Sequence, residues 1–181
     1  MANTDTPNGF TPAGHKNGGT IRANTLKIAY NYGTAIYSGD AVILASGLVT
    51  KAADSSATVD GIFQGCSYRN NSGEVIFSPY WPGAALSDSA AIVDAYVYTD
   101  KGILFEVQCV TGTALTQAHI GVACDLAGTT GSTITGRSYM EVTPGTAGDA
   151  QFMLHALSER PGNVIGEHAK VLVSLNESVV G

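Results

Sequence analysis

Beyond Thr25 the chain is written in short alternating runs. In Leu26-Lys27-Ile28-Ala29-Tyr30-Asn31-Tyr32 apolar side chains recur at every second position, the period of a strand with one buried face. Residues 41–44 form a continuous apolar run, which predicts a buried strand, and Gly47 opens the next turn. Residues 59–68 predict a strand with a bulge or bend, because Gly61 and Gly65 lie inside it. Short strands are predicted at 74–77, 122–126, 138–142 and 151–157, and at 169–175, where Val171, Val173 and Leu175 share a face. Residues 92–98 and 103–110 flank Thr99-Asp100-Lys101-Gly102, a turn that predicts a hairpin. One helical turn is expected over 114–119, with Thr113 as N-cap and Gly121 as stop. The Gly/Thr/Ser-rich stretch 127–136 reads as an exposed loop.

Eight to ten short strands, with turn signals every 8–12 residues or so and no helical period, predict a mainly β protein. The expected fold is a single-domain β-barrel or jelly-roll-like sandwich with at most one short helix. Residues 25–181 would form that body, and residues 1–24 an extended N-terminal arm. The arm holds Pro7, Gly9, Pro12, Gly14, Gly18 and Gly19, with Phe10 and Ile21 as its only large apolar side chains. So little apolar area does not offset the entropy of ordering. Two readings stand: a disordered terminus, or an arm that orders on a partner with Phe10 as anchor. On the second reading Pro7, Phe10, Pro12 and Ile21 are the partner-binding candidates.

Composition narrows the partners. Charged residues make up 13% of the chain, about half the share of an average soluble domain. A neutral polar surface explains this, and so does burial in an assembly, because interface cores are depleted in charge. The net charge of −6 and nine scattered Lys and Arg argue against direct contact with nucleic acid, which needs a clustered basic surface. No apolar run is long enough for a membrane-spanning helix, and the start has neither the basic nor the apolar region of a signal peptide. Synthesis in a cytoplasm without membrane contact is expected. Cys66, Cys109 and Cys124 are odd in number and lack framework spacing.

No motif for catalysis stands out. His15, His119, His155 and His168 show neither zincin nor Cys-ligand spacing, so no metal and no cofactor is expected. Cys124 with His119, His155 or His168, and Asp125 as orienter, would make a nucleophile pair, but free cysteines are usually buried core residues. Asp88, Asp94, Asp100 and Glu106 are the carboxylates from which a glycosidase pair would have to come, and their separations cannot be read from spacing. The reading is therefore of a protein that is not an enzyme. Tyr80-Trp81-Pro82-Gly83 is the most distinctive cluster. It reads either as an aromatic contact site, with Tyr80 and Trp81 facing a partner, or as a packed corner.

A resemblance joins these features. Ala2-Asn3-Thr4-Asp5-Thr6-Pro7, Gly9-Phe10, Pro12 and Gly14-His15 are followed by Tyr32-Gly33-Thr34-Ala35-Ile36-Tyr37-Ser38-Gly39-Asp40 and Gly61-Ile62-Phe63-Gln64-Gly65. Then come Phe77-Ser78-Pro79-Tyr80-Trp81-Pro82, Phe105-Glu106-Val107-Gln108, Arg160-Pro161-Gly162-Asn163 and Ala169-Lys170-Val171. In this order, across almost the whole chain, they resemble tailed-bacteriophage virion structural proteins of the capsid decoration or cement kind. Members carry an aromatic before the Gly-Phe pair and an arginine after it, where this chain has Asn8 and Thr11. The resemblance implies a homo-oligomer, often a homotrimer, on the outer capsid surface. Its partner would be the major capsid protein, its place the virion, and its origin a bacterial host cytoplasm. It would bridge capsomers through many weak contacts, with open sheet edges as docking places for a neighbour. A tail, baseplate or head-knob subunit that binds a receptor or glycan is the rival.

Overall fold

A computed structural model describes residues 3–54, 58–83, 93–145 and 150–176. Twelve strands are present among the described residues. They are β1 (Thr11–His15), β2 (Asn24–Ile28), β3 (Ala41–Ala45), β4 (Leu48–Lys51), β5 (Gly61–Arg69) and β6 (Val75–Ser78). The second half adds β7 (Val93–Tyr98), β8 (Ile103–Gln108), β9 (Ala123–Ala127), β10 (Glu141–Pro144), β11 (Phe152–Leu157) and β12 (Lys170–Leu175). One 3-10 turn, Gln117–His119, stands at the end of the stretch where a helical turn is expected, and its N-cap is Thr116 rather than Thr113. Its opening is stabilised by the Thr116 N–H, which donates to His119 Nδ1 at 3.2 Å.

The strands form two antiparallel sheets. One runs β1-β8-β12-β11-β9-β10, the other β2-β7-β5-β3-β4 with β6 added beside β5. Both paths have ends, so the body is sandwich-like and not a closed barrel. The alternation in 169–175 holds: Val171, Val173 and Leu175 are all buried. The strand signalled by Gly61 and Gly65 also bends as expected, with a register shift between Phe63 and Gly65.

The expected hairpin at Thr99-Asp100-Lys101-Gly102 is corrected. β7 pairs with β2 and β5, whereas β8 pairs with β1 and β12 in the other sheet. The turn therefore carries the chain from sheet to sheet. Alternation and a turn signal are the same for strands that pair and for strands that part. A hairpin does form at β3–β4, whose second strand has no sequence signal: at the turn marked by Gly47, Ser46 (φ +53°) and Gly47 (φ +80°) make a two-residue connection with both residues left-handed.

Two apolar clusters hold the sheets. The larger contains Phe105, Val107, Cys124, Val142, Phe152, Leu154, Val171 and Val173 of the first sheet, together with Ala41 and Ile62 of the second. The smaller contains Val42, Phe63, Val93, Ala95 and Val97, closed over by Ile28, Ile36 and Trp81. Neighbouring residues such as Ala41 and Val42, or Ile62 and Phe63, point to opposite clusters. Among the described residues, no helix is long and apolar enough to cross a membrane.

Candidate interaction surface

The N-terminal segment is fastened to the body over much of its length. Thr11 to His15 forms the edge strand β1, in register with Ile103 to Glu106 of β8. Pro12 fits an edge strand, where its missing N–H costs no ladder bond, and the register shift before Gly14 bends the edge away. Just before it, the chain crosses Gly39 in backbone contact. The Phe10 N–H donates to Gly39 O at 3.0 Å. Gly9 adopts φ +63°, and a Cβ there would lie 2.5 Å from Ser138 Cβ. Only glycine lets this crossing close.

The expectation that Phe10 anchors a partner is corrected by its placement. Phe10 is 2% exposed and its ring stacks on Phe152 at 4.5 Å. It is an anchor, but into the chain's own core, because the glycine crossing delivers it there. Ile21 is half-buried against the same cluster. Pro7 and Pro12 are half-buried as well. Polar contacts complete the docking. Asn3 Nδ2 donates to Val164 O and Glu167 O, each at 2.8 Å, and the Thr6 N–H donates to Gln108 Oε1 at 2.9 Å.

The Tyr80-Trp81 corner divides the same way. Trp81 is fully buried, donates its Nε1 hydrogen to Tyr32 O at 2.8 Å and meets Tyr68 edge-on at 5.2 Å. A partner-facing Trp81 is thereby corrected to a packed corner, since its indole N–H finds its acceptor inside the chain. Tyr80 is half-buried and stacks on Tyr37 at 5.8 Å. Tyr37 in turn carries Lys51 Nζ 5.0 Å above its ring. Lys51 Nζ also lies 2.8 Å from Asp40 Oδ2, an ion pair whose side chains are 8% and 0% exposed. Burial pushes the Asp40 carboxyl above its ordinary value, and Lys51 opposes the shift. Tyr37 and Lys51 line one wall of a cleft of about 530 Å3 shared with Tyr32, Thr129 and Thr130.

The apolar surface that does face outward is elsewhere. On β6, Val75 is 58% exposed and Phe77 is 74% exposed, side by side on one face of the strand. Among the described residues β6 pairs with β5 alone. The loop 131–138 adds Ile134 at 95% exposure. That loop is ordered by its own ladder, with the Gly136 N–H donating to Ser132 O and the Ser132 N–H to Arg137 O, each at 2.8 Å. Gly136 packs on Pro79 and Tyr80, so this end of the loop lies against the residues that follow β6. Sequence reasoning marks 127–136 as an exposed loop and β6 as a strand, and carries no signal that Val75 and Phe77 point outward.

The groups weighed for chemistry are occupied separately. Asp94 pairs with Lys27 on β2. Asp100 meets His15 Nε2 at 3.2 Å, and the Gly102 N–H and then His15 hold its carboxyl below the ordinary value. Glu106 takes Arg160 Nε at 2.8 Å and the Ser158 hydroxyl. Asp88 lies outside the described residues. Burial pushes the thiols of Cys66 and Cys109 up to about 12 and that of Cys124 higher still, which disfavours the thiolate a nucleophile needs. His119 bonds its own turn and His155 Nε2 meets Ser174 Oγ at 2.9 Å.

Comparison with known proteins adds no relative: no family model, no curated protein and no solved structure matches the chain.

Proposed function

We propose that this chain is a structural, non-catalytic subunit of a tailed-phage particle that binds the outer face of the capsid and bridges its capsomers. The observation that carries the reading is the outward pair Val75 and Phe77 on the edge strand β6, together with the exposed Ile134. Single exposed apolar residues are ordinary. A phenylalanine 74% exposed beside a valine on the same strand face is surface suited to a protein partner. Aromatic side chains are enriched at binding hot spots, and the scarcity of charge fits a molecule much of whose surface is covered in an assembly. The sequence resemblance supplies the kind of assembly.

In this reading the β-sandwich is a rigid stand, and the β6 rim and the loop tip are what it presents. Repetition over a shell turns modest contacts into strong attachment, since each bound contact raises the effective concentration of the next. The rival is a tail, baseplate or head-knob subunit that binds a glycan. The cleft beside Tyr37 and Lys51 favours it, because aromatic faces and hydroxyls suit sugars. Copy number separates the two. Quantified against the major capsid protein in purified particles, a decoration subunit is present in numbers comparable to the capsomers. A handful of copies per particle would overturn the capsid reading.

A further inference from the structure

Among the described residues, one set of three side chains converges as metal ligands do: Asp5, Glu141 and His168, whose ligand atoms all lie within 4.8 Å of one another. They come from three parts of the chain. Asp5 belongs to the docked N-terminal segment, Glu141 opens β10, and His168 precedes β12. Spacing in the sequence therefore gives no hint of them.

Three further features make this more than a chance meeting of acids. Gln108, 2% exposed, gathers both carboxylates on one nitrogen: its Nε2 donates to Asp5 Oδ1 at 2.8 Å and to Glu141 Oε1 at 2.9 Å. Its Oε1 is fixed by the Thr6 N–H, so the amide cannot turn without losing that bond. Second, the Nδ1 atom of His168 is buried without a hydrogen-bond partner. It lies 3.6 Å from Asp5 Oδ1, too long for a hydrogen bond. Third, His168 is held at φ +54°, a left-handed conformation that costs a residue with a side chain about 1–2 kcal/mol.

We propose that Asp5, Glu141 and His168 bind a divalent transition cation, Zn2+ being the best match, which locks the N-terminal segment onto the body. A mixed set of one imidazole and two carboxylates suits zinc, whereas calcium takes oxygen ligands. In a tetrahedral site with bonds of about 2.0 Å, ligand atoms stand roughly 3.3 Å apart. The 3.6 Å between His168 and Asp5 is already near that. The remaining separations are at most 4.8 Å, and Asp5 is exposed and free to approach the other two. Lys170, which lines the adjoining cleft, directs its Nζ to Thr6 O. This site is independent of the capsid reading, and neither result decides the other.

The test uses the full chain, stripped with a chelator and titrated with Zn2+ alone by calorimetry, with thermal unfolding followed in parallel. His168→Asn removes the imidazole while keeping a residue that tolerates left-handed φ, and Glu141→Gln removes a charge without changing shape. One saturable Zn2+ per chain is expected, with a raised melting temperature. Each variant should weaken binding at least tenfold, and His155→Gln should not change it. Absence of saturable binding, binding that survives both variants unaltered, or calcium binding as tightly as zinc would each overturn the proposal.

Discussion

Phe10 and Phe77 are the same residue type in segments whose sequence contexts suggest opposite fates. Phe10 sits among prolines, glycines and threonines in a stretch with almost no other apolar side chain, and it ends 2% exposed on the ring of Phe152. Phe77 sits in an apolar strand and ends 74% exposed. The two edge strands differ in step. β1 is blunted by Pro12 and a register shift, devices that keep an edge from recruiting neighbours. β6 carries its apolar face outward. The difference teaches that local hydrophobicity fixes a strand's period but not its address. Two glycines at a backbone crossing bury the isolated phenylalanine, and a place at the edge of the second sheet exposes the other.

The comparison breaks most directly at Phe10. Truncation of a fully packed phenylalanine leaves a cavity, so Phe10→Ala is expected to cost about 3–5 kcal/mol of stability in urea unfolding. Phe152→Ala should cost a similar amount, and the double variant less than the sum, because the two rings share one contact. A loss under about 1 kcal/mol would return Phe10 to the surface. For the same reason, removal of residues 2–24 is a poor probe of capsid binding. It takes away a core side chain and a strand along with any contact surface.

Next in size is the crossing that delivers Phe10. Gly9→Ala imposes a left-handed φ on a residue with a Cβ and pushes that Cβ against Ser138 and Gly39 O. Strain of this kind is expected to cost about 1–3 kcal/mol. Gly18 has φ +69° with nothing within 4 Å of a Cβ. Gly18→Ala should therefore show the conformational cost alone, about 1 kcal/mol. Equal losses at the two positions, measured by denaturant midpoint, would mean that the close approach contributes nothing.

How much of this was legible follows from what each signal encodes. The ten runs of apolar residues mark ten of the strands, because side-chain period is a local property. β1 and β4 escape it. β1 draws its stability from pairing with β8 and from the core contact next to it, and Thr11-Pro12-Ala13-Gly14-His15 has no alternation to show. β4 is short and follows a Ser-Gly turn whose left-handed residues are visible only in the backbone. The parting of β7 and β8 is a tertiary choice that no turn residue records. Likewise sequence alone does not distinguish a hot spot from a corner at Trp81; its N–H, which ends on Tyr32 O inside the chain, makes it a corner. The gathering of Asp5, Glu141 and His168 spans nearly the whole chain and has no sequence signature at all.

The smallest effect on stability, and the sharpest test of the comparison, belongs to Phe77. Its ring has little to lose on truncation, since most of it already faces water. In the isolated chain Phe77→Ser is therefore expected to shift unfolding by no more than about 0.5 kcal/mol. The opposite holds on the particle. A ring that fills a pocket of a neighbour is worth several kcal/mol at a hot spot, so Phe77→Ser should weaken attachment to undecorated capsids at least tenfold, and Val75→Ser less. If the isolated chain itself loses several kcal/mol, or its mass in sedimentation falls by a whole multiple, Phe77 is buried between copies of the chain. Unchanged attachment and unchanged stability together would leave β6 a bare edge, and the capsid contact would have to be sought at Ile134.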